Sequence, residues 1–341
     1  MRYLVTGGAG FIGSHLSEHL LELGHSVLAV DNFSTGRREN VAHLEARSDF
    51  ELIEGDILDY PLMDELLSRC DAVYHLAAAV GVKLIMEEPV ETLTTNVRGT
   101  EIILELASRA GKKLFLASTS EVYGKTLENN GNLHALKEDE DRTLGATSRK
   151  RWAYACSKAL DEFLALAYRE ERGLEVVIAR FFNTVGPRQT GRYGMVVPTF
   201  VRRALANEDL LVHGDGEQSR SFTHVADTVW AATRLMETPE AEGEVYNIGN
   251  GKEITINELA ERVIAFTGSS SRVVHVPYEE VYGEGFEDMR RRTPDIAKLQ
   301  ALLGFEPQRD IDGILEDVIE DCRRREAPVQ VEPRIRRAAA G

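Results

Sequence analysis

Short apolar runs alternate with stretches of helical spacing along the first half of the chain. Residues 2–5 form a compact run that reads as a buried strand, and residues 14–23 carry Leu16, Leu20 and Leu23 on one helix face. The same reading predicts strands over 26–30, 50–54, 72–76, 113–117 and 175–179, and helices over 60–68, 90–110 and 152–171. Strand and helix alternating in this way build a doubly wound parallel sheet, the α/β class. Beyond Phe181 the pattern becomes mixed, with helices predicted over 197–206, 226–236 and 256–266. The expected division is a sheet domain over 1–180, with later returns from the C-terminal half, and a smaller mixed α/β lobe over 181–325. Residues 326–341, rich in Pro, Arg and Ala, are expected to form a disordered tail.

Between the first strand and the first helix stand Gly8, Gly10 and Gly13, in the pattern Gly-x-Gly-x-x-Gly. One such glycine permits the tight turn, one lets a pyrophosphate approach the backbone, and one brings helix close to strand. A diphosphate then meets free N–H groups at a helix N-terminus. The second strand ends at Asp31, close to the position about 20 residues on where a carboxylate accepts from ribose hydroxyls. That carboxylate would repel a 2′-phosphate, so the expected cofactor is NAD rather than NADP, with Arg37 and Arg38 the nearby cations that argue the other way. The fold implied is a Rossmann domain, and the mixed lobe becomes a substrate lobe.

Composition narrows the setting. The chain has 341 residues, a net charge of −16 and three cysteines, Cys70, Cys156 and Cys322, without metal-ligand spacing. Such acidity argues against a nucleic-acid partner, and no run of about 20 apolar residues predicts a membrane span. No metal site and a cytoplasmic location are expected. His75 lies in an apolar strand and reads as a hydrogen-bonded sheet residue, and Trp152 as packing.

Chemistry enters at Tyr154-Ala-Cys-Ser-Lys158, where positions i and i+4 share a helix face. A cation beside a phenol favours its phenolate, so the pair can act as a base toward a sugar hydroxyl. The run Ser118-Thr119-Ser120-Glu121 follows the fifth strand, at the carboxyl edge where such sheets take their ligands.

With these residues in view, the chain resembles the extended short-chain dehydrogenase/reductases, the NAD-dependent nucleotide-sugar epimerases, dehydratases and decarboxylases. The carriers are Thr6-Gly-Gly-Ala-Gly-Phe-Ile-Gly13, Asp31-Asn32, Gly55-Asp56, His75-Leu-Ala-Ala78, Asn96, the segment 118–124, Tyr154 with Lys158, the segment 180–188 and the segment 220–227. The resemblance implies that Gly7, Gly10, Phe11, Ile12, Gly13, Asp31, Asn32, Asp56, Ile57, Leu76, Ala77, Ala78, Asn96, Tyr154 and Lys158 serve the cofactor. It implies further that Asn183 and Arg220 hold the sugar nucleotide's diphosphate, and that the protein is a homodimer through its long helices.

In this group a sugar oxidised at carbon 4 can be epimerised, dehydrated or decarboxylated. Dehydratases typically show Thr-Asp-Glu where this chain has Thr119-Ser120-Glu121, a triplet that resembles the UDP-glucuronate decarboxylases. The segment 281–295 resembles the matching stretch of a bacterial decarboxylase and points to Arg292, either at the sugar or on the diphosphate. The implied catalytic set is Tyr154, Lys158, Thr119, Ser120, Glu121 and Arg292, and the implied reaction is decarboxylation of UDP-glucuronate to a UDP-pentose. A 4-epimerase is the alternative, with a dehydratase or a non-catalytic NAD-binding protein behind it.

Overall fold

The computed structural model describes residues 1–129, 133–191, 194–282 and 288–326. Six strands arise in chain order: β1 (Arg2–Thr6), β2 (Ser26–Asp31), β3 (Phe50–Glu54), β4 (Ala72–His75), β5 (Lys113–Thr119) and β6 (Val176–Phe181). Seven shorter ones follow: β7 (Thr184–Val185), β8 (Leu210–His213), β9 (Ser219–Ser221), β10 (Thr223–His224), β11 (Val245–Ile248), β12 (Glu253–Thr255) and β13 (Val273–Val276). The central sheet runs β11-β6-β5-β4-β1-β2-β3, all parallel. Its order reverses at β1, so the crevice beyond the carboxyl ends of β1 and β4 is where a ligand would enter.

Alternation within each strand assigns the two faces. Tyr3 and Val5 point into one cluster with Leu16 and Leu20 of helix Phe11–Glu22, while Leu4 points into the other with Met63 and Leu66 of helix Tyr60–Ser68. Helices Pro89–Ala110 and Ala153–Arg172 cover that second face through Ile103, Leu106 and Ala165. Burying both faces is why these strands read as continuous apolar runs.

The C-terminal half returns to the sheet in two places. Strand β11 pairs with β6, Tyr246 opposite Ala179 and Ile248 opposite Phe181. Helix Val225–Glu237 packs Val229, Ala232 and Leu235 into the cluster around Tyr3. A third cluster joins helices Val196–Leu205, Ile256–Thr267 and Ile311–Glu326 through Phe200, Leu259 and Leu315. Glu326 closes that last helix, and the rest of the expected tail, 327–341, lies outside the described residues. Among the described residues no helix is long and apolar enough to cross a membrane.

Candidate active site

The glycine turn owes its shape to close backbone contact. Gly7 has a positive φ of 69°, and its N–H donates to Val30 O at 2.8 Å, so the turn is tied to the end of β2. A Cβ on Gly13 would stand 2.1 Å from Gly7 O, so only hydrogen fits where the helix starts at Phe11. Asp31 closes β2 with its carboxylate turned to the turn, accepting from Ala9 N at 2.9 Å and Phe33 N at 2.8 Å. Burial pushes the Asp31 carboxyl up, against the pull of those N–H groups. Arg38 is occupied by Glu45 at 2.9 Å. Asn32 donates to Asp56 at 2.9 Å, and Asp56 accepts from Leu58 N at 2.9 Å.

Thr6, the last residue of β1, shapes the loop after β4. Its hydroxyl oxygen accepts from Leu76 N and Ala77 N, both at 3.1 Å. Asn96 accepts from Ala79 N at 2.8 Å and holds the same loop from behind. A cavity of about 1400 Å³ runs from the glycine turn across the carboxyl edge of the sheet. Gly7, Gly10, Phe11, Ile12, Gly13, Asp31, Asn32, Asp56, Ile57, Leu76, Ala77 and Ala78 line it at one end, whereas Asn96 is buried outside its wall. Thr119, Ser120, Glu121, Tyr154, Lys158, Asn183, Arg220 and Arg292 line the same cavity further along.

Strand β5 delivers Thr119 to this second region, and a 3-10 turn, Ser120–Tyr123, follows directly. Thr119 Oγ1 accepts from Glu121 N at 3.2 Å, which turns the Glu121 side chain into the cavity wall. There it is held by two guanidiniums, Arg151 at 2.6 Å and Arg292. Arg292 also donates to Asn183, and Asp288 bridges Arg151 at 3.4 Å and Arg220 at 2.9 Å. Three guanidiniums thus share two carboxylates, leaving one positive charge, and the Nε atoms of Arg151 and Arg292 are buried without a hydrogen-bond partner among the described residues. A buried unpaired N–H is costly, so a further acceptor within reach, an anion best of all, would stabilise the cluster.

Burial alone would push the Glu121 carboxyl up, but Arg151 and Arg292 outweigh it and hold the carboxyl well below the usual carboxylate range. Burial lowers Arg292, with Arg220 and Arg151 adding to that effect and Glu121 opposing it. The Tyr154 phenol behaves differently from the sequence expectation. Burial, and then the charge of Glu121, push it well above its ordinary value, while its hydrogen bond with Thr119 pulls the other way. Lys158 donates to Asp161 at 2.9 Å, one turn further along the helix. The expected phenolate-favouring pair is therefore offset by two nearby carboxylates that the Tyr-x-x-x-Lys spacing does not reveal.

Arg151, Asp288 and Asp161 are the site residues that sequence reasoning missed. Arg151 stands three positions before Tyr154, a spacing that shares a helix face, and this was the available signal. Nothing local marks Asp288, which reaches Arg151 and Arg220 only through the fold. His75 is hydrogen-bonded at both ring nitrogens, to Thr6 Oγ1 of β1 at 2.8 Å and to Thr100 Oγ1 of helix Pro89–Ala110 at 3.2 Å, and Trp152 is buried.

Comparison with known proteins adds three kinds of match. The family described as GDP-mannose 4,6 dehydratase matches residues 4–318. A relative from Bacillus cytotoxicus, named UDP-N-acetyl-alpha-D-glucosaminuronate decarboxylase, is 46% identical over 320 residues, covering 94% of this chain and 97% of that protein. The UDP-glucuronic acid decarboxylase 1 of Danio rerio is 40% identical over 319 residues, covering 94% of this chain and 72% of that protein. Among solved structures, the UDP-glucuronic acid 4-epimerase of Bacillus cereus, in complex with UDP-glucuronic acid and NAD, has a TM-score of 0.84 at 29% identity. That match covers 95% of this chain and 99% of the epimerase. By sequence over nearly its whole length and by the order of its sheet, the chain belongs to the GDP-mannose 4,6-dehydratase family of extended short-chain dehydrogenase/reductases.

Proposed function

We propose that the chain is an NAD-dependent decarboxylase of a UDP-linked hexuronate, converting UDP-glucuronate to a UDP-pentose through a 4-keto sugar. The observation that carries this reading is the cavity wall opposite Tyr154, where Glu121 is held ionised between Arg151 and Arg292 and position 120 is a serine. Among the described residues no neutral carboxylic acid stands beside Thr119 to protonate a departing hydroxyl, which disfavours dehydration. The uncompensated positive charge suits a substrate with a carboxylate of its own.

The glycine turn, with no room for a Cβ at Gly13, together with Asp31 and the loop 76–78, fits a dinucleotide. Bound NAD supplies the electron-pair acceptor for oxidation of a sugar carbinol. Tyr154 and Thr119 bracket the carbon 4 hydroxyl, and Tyr154 takes its proton in the fraction of molecules whose phenol is ionised. Once carbon 4 is a ketone, the carbon 6 carboxylate is β to it. The bond between carbons 5 and 6 breaks, carbon dioxide leaves, and the electron pair moves onto carbon 5 and the carbon 4 oxygen as an enolate. Hydrogen bonds from Thr119 and Tyr154 stabilise that oxygen where charge develops. A proton drawn from solvent closes carbon 5, and ionised Glu121, with Ser120 or Arg292, orients the ring and guides that proton. Ser120 backs Glu121, and Asn183 and Arg220 hold the diphosphate.

A 4-epimerase is the second reading, favoured by the likeness to the Bacillus cereus enzyme. Both long helices leave apolar side chains exposed, Val90 on Pro89–Ala110 and Phe163 on Ala153–Arg172, which supports a homodimer through these faces. The deciding experiment incubates the purified protein with NAD and, separately, UDP-glucuronate, its 2-acetamido counterpart and UDP-glucose, with products read by NMR. Loss of carbon 6 from a uronate is the expected result. A product that keeps carbon 6 and inverts carbon 4 would overturn decarboxylation.

A further inference from the structure

Beneath the site, helix Ala153–Arg172 carries two adjacent buried acids with different surroundings. Glu162 is fully engaged, accepting from Ser118 Oγ at 2.5 Å, Arg142 at 2.6 Å and Arg180 at 2.8 and 2.9 Å. Asp161, 0% exposed, is held by Lys158 Nζ at 2.9 Å, with the Thr100 hydroxyl beside it. Lys158 is itself only 2% exposed and lies at the cavity wall, so the two form a largely buried ion pair.

An ordered series of hydrogen bonds runs beside the pair. Thr6 Oγ1 already accepts two backbone N–H groups, so its own proton goes to His75 Nδ1 at 2.8 Å. Burial holds the His75 imidazole down at about 3, hence neutral, and with Nδ1 accepting, the ring proton sits on Nε2 and is donated to Thr100 at 3.2 Å. Thr100 stands near Asp161, whose Oδ1 is buried and makes no hydrogen bond among the described residues. The series begins at the oxygen that shapes the loop 76–78 and ends at Thr100.

A buried ammonium without a countercharge loses its proton readily, because desolvation penalises the charged form. We propose that Asp161 is a positioning residue: its buried ion pair keeps Lys158 an ammonium one helical turn from Tyr154. This rests on the reading that Tyr154 and Lys158 serve sugar oxidation. The charged and titratable groups around the pair are Tyr154, Glu121 and Arg292 on the cavity side, His75 from β4, and Glu162, which Arg142 and Arg180 neutralise.

The test uses the full-length protein and the variants Asp161→Asn and Asp161→Glu. Lys158 lines the cavity, so acetic anhydride can reach it, and its acylation is followed against pH by peptide mass spectrometry. The midpoint of the acylation curve should fall by at least ~1 pH unit in Asp161→Asn and return toward wild type in Asp161→Glu. An unchanged midpoint overturns the proposal. In turnover of UDP-glucuronate, kcat should fall at least ~10-fold in Asp161→Asn with KM within ~2-fold, and a loss confined to KM overturns it equally. Absence of wild-type turnover on every UDP-uronate would sink the functional reading instead, and the acylation experiment then judges Asp161 by itself. Should Asp161→Asn not fold, Asp161→Ser also removes the carboxylate and should move the midpoint in the same direction; no movement overturns the proposal.

Discussion

His75 makes a quantitative test of how this core is wired. The ring is 1% exposed, and burial, helped by the charge of Lys158, lowers it to about 3. In the unfolded chain a histidine titrates near ~6.5, so between these values the unfolded state binds the extra proton and the native state does not. A depressed folded value means stability that is present above about pH 6.5 and lost as pH falls toward 3. At pH 4 the unfolded imidazole favours its protonated form by ~2.5 pH units at ~1.4 kcal/mol each, a loss of about 3 kcal/mol. His75→Gln places a group that does not titrate at the same position. Urea unfolding followed by tryptophan fluorescence at pH 7 and pH 4 should show the wild type losing about 3 kcal/mol more than the variant. His15, lowered to about 4 by burial and Arg188, acts on both proteins alike and cancels from the difference. Parallel losses in the two proteins would refute the neutral, buried ring and the proton order built upon it.

Gly13→Ala puts a Cβ 2.1 Å from Gly7 O, so NAD affinity measured by calorimetry should fall at least ~100-fold, and wild-type affinity would reject the cradle. Glu121→Gln should slow conversion by ~100-fold or more while NAD affinity stays within ~3-fold. Equal loss of both would assign Glu121 to loop structure. Because Tyr154 is raised by burial and by Glu121, the ionised base grows about tenfold per pH unit below its midpoint, so kcat/KM should climb with pH from about 6 to 9 without levelling. A plateau below pH ~8 would mean that the free enzyme's phenol is not the titrating base. Arg151→Met leaves Glu121 with one guanidinium and should lower stability in urea by ~3 kcal/mol, and an unchanged midpoint would remove Arg151 from the charge cluster.

Much of the scaffold was written locally. The apolar runs at 2–5, 26–30 and 113–117 became β1, β2 and β5, because strands buried on both faces need no partner pattern to be recognised. The glycine turn, Asp31 and the 118–121 run were equally legible, since each chemistry sits within a few residues of the element that presents it. Strand β11 was not legible as part of the sheet. Its four residues carry little periodicity, and its place beside β6 depends on pairing across the chain from residue 245 to residue 178.

The charge states were decided chiefly by tertiary structure. A tyrosine and a lysine four apart promise a lowered phenol, yet burial and Glu121, which stands on another element, act on Tyr154 most strongly, with Asp161 of the same helix adding to them. The same holds for the arginine cluster, where residues 151, 220 and 292 meet around two carboxylates only once segments far apart along the chain fold together. Sequence determined which chemical groups were available and which elements carried them. Folding determined their distances and their exposure to water, and electrostatic energy depends on those two quantities, not on position along the chain.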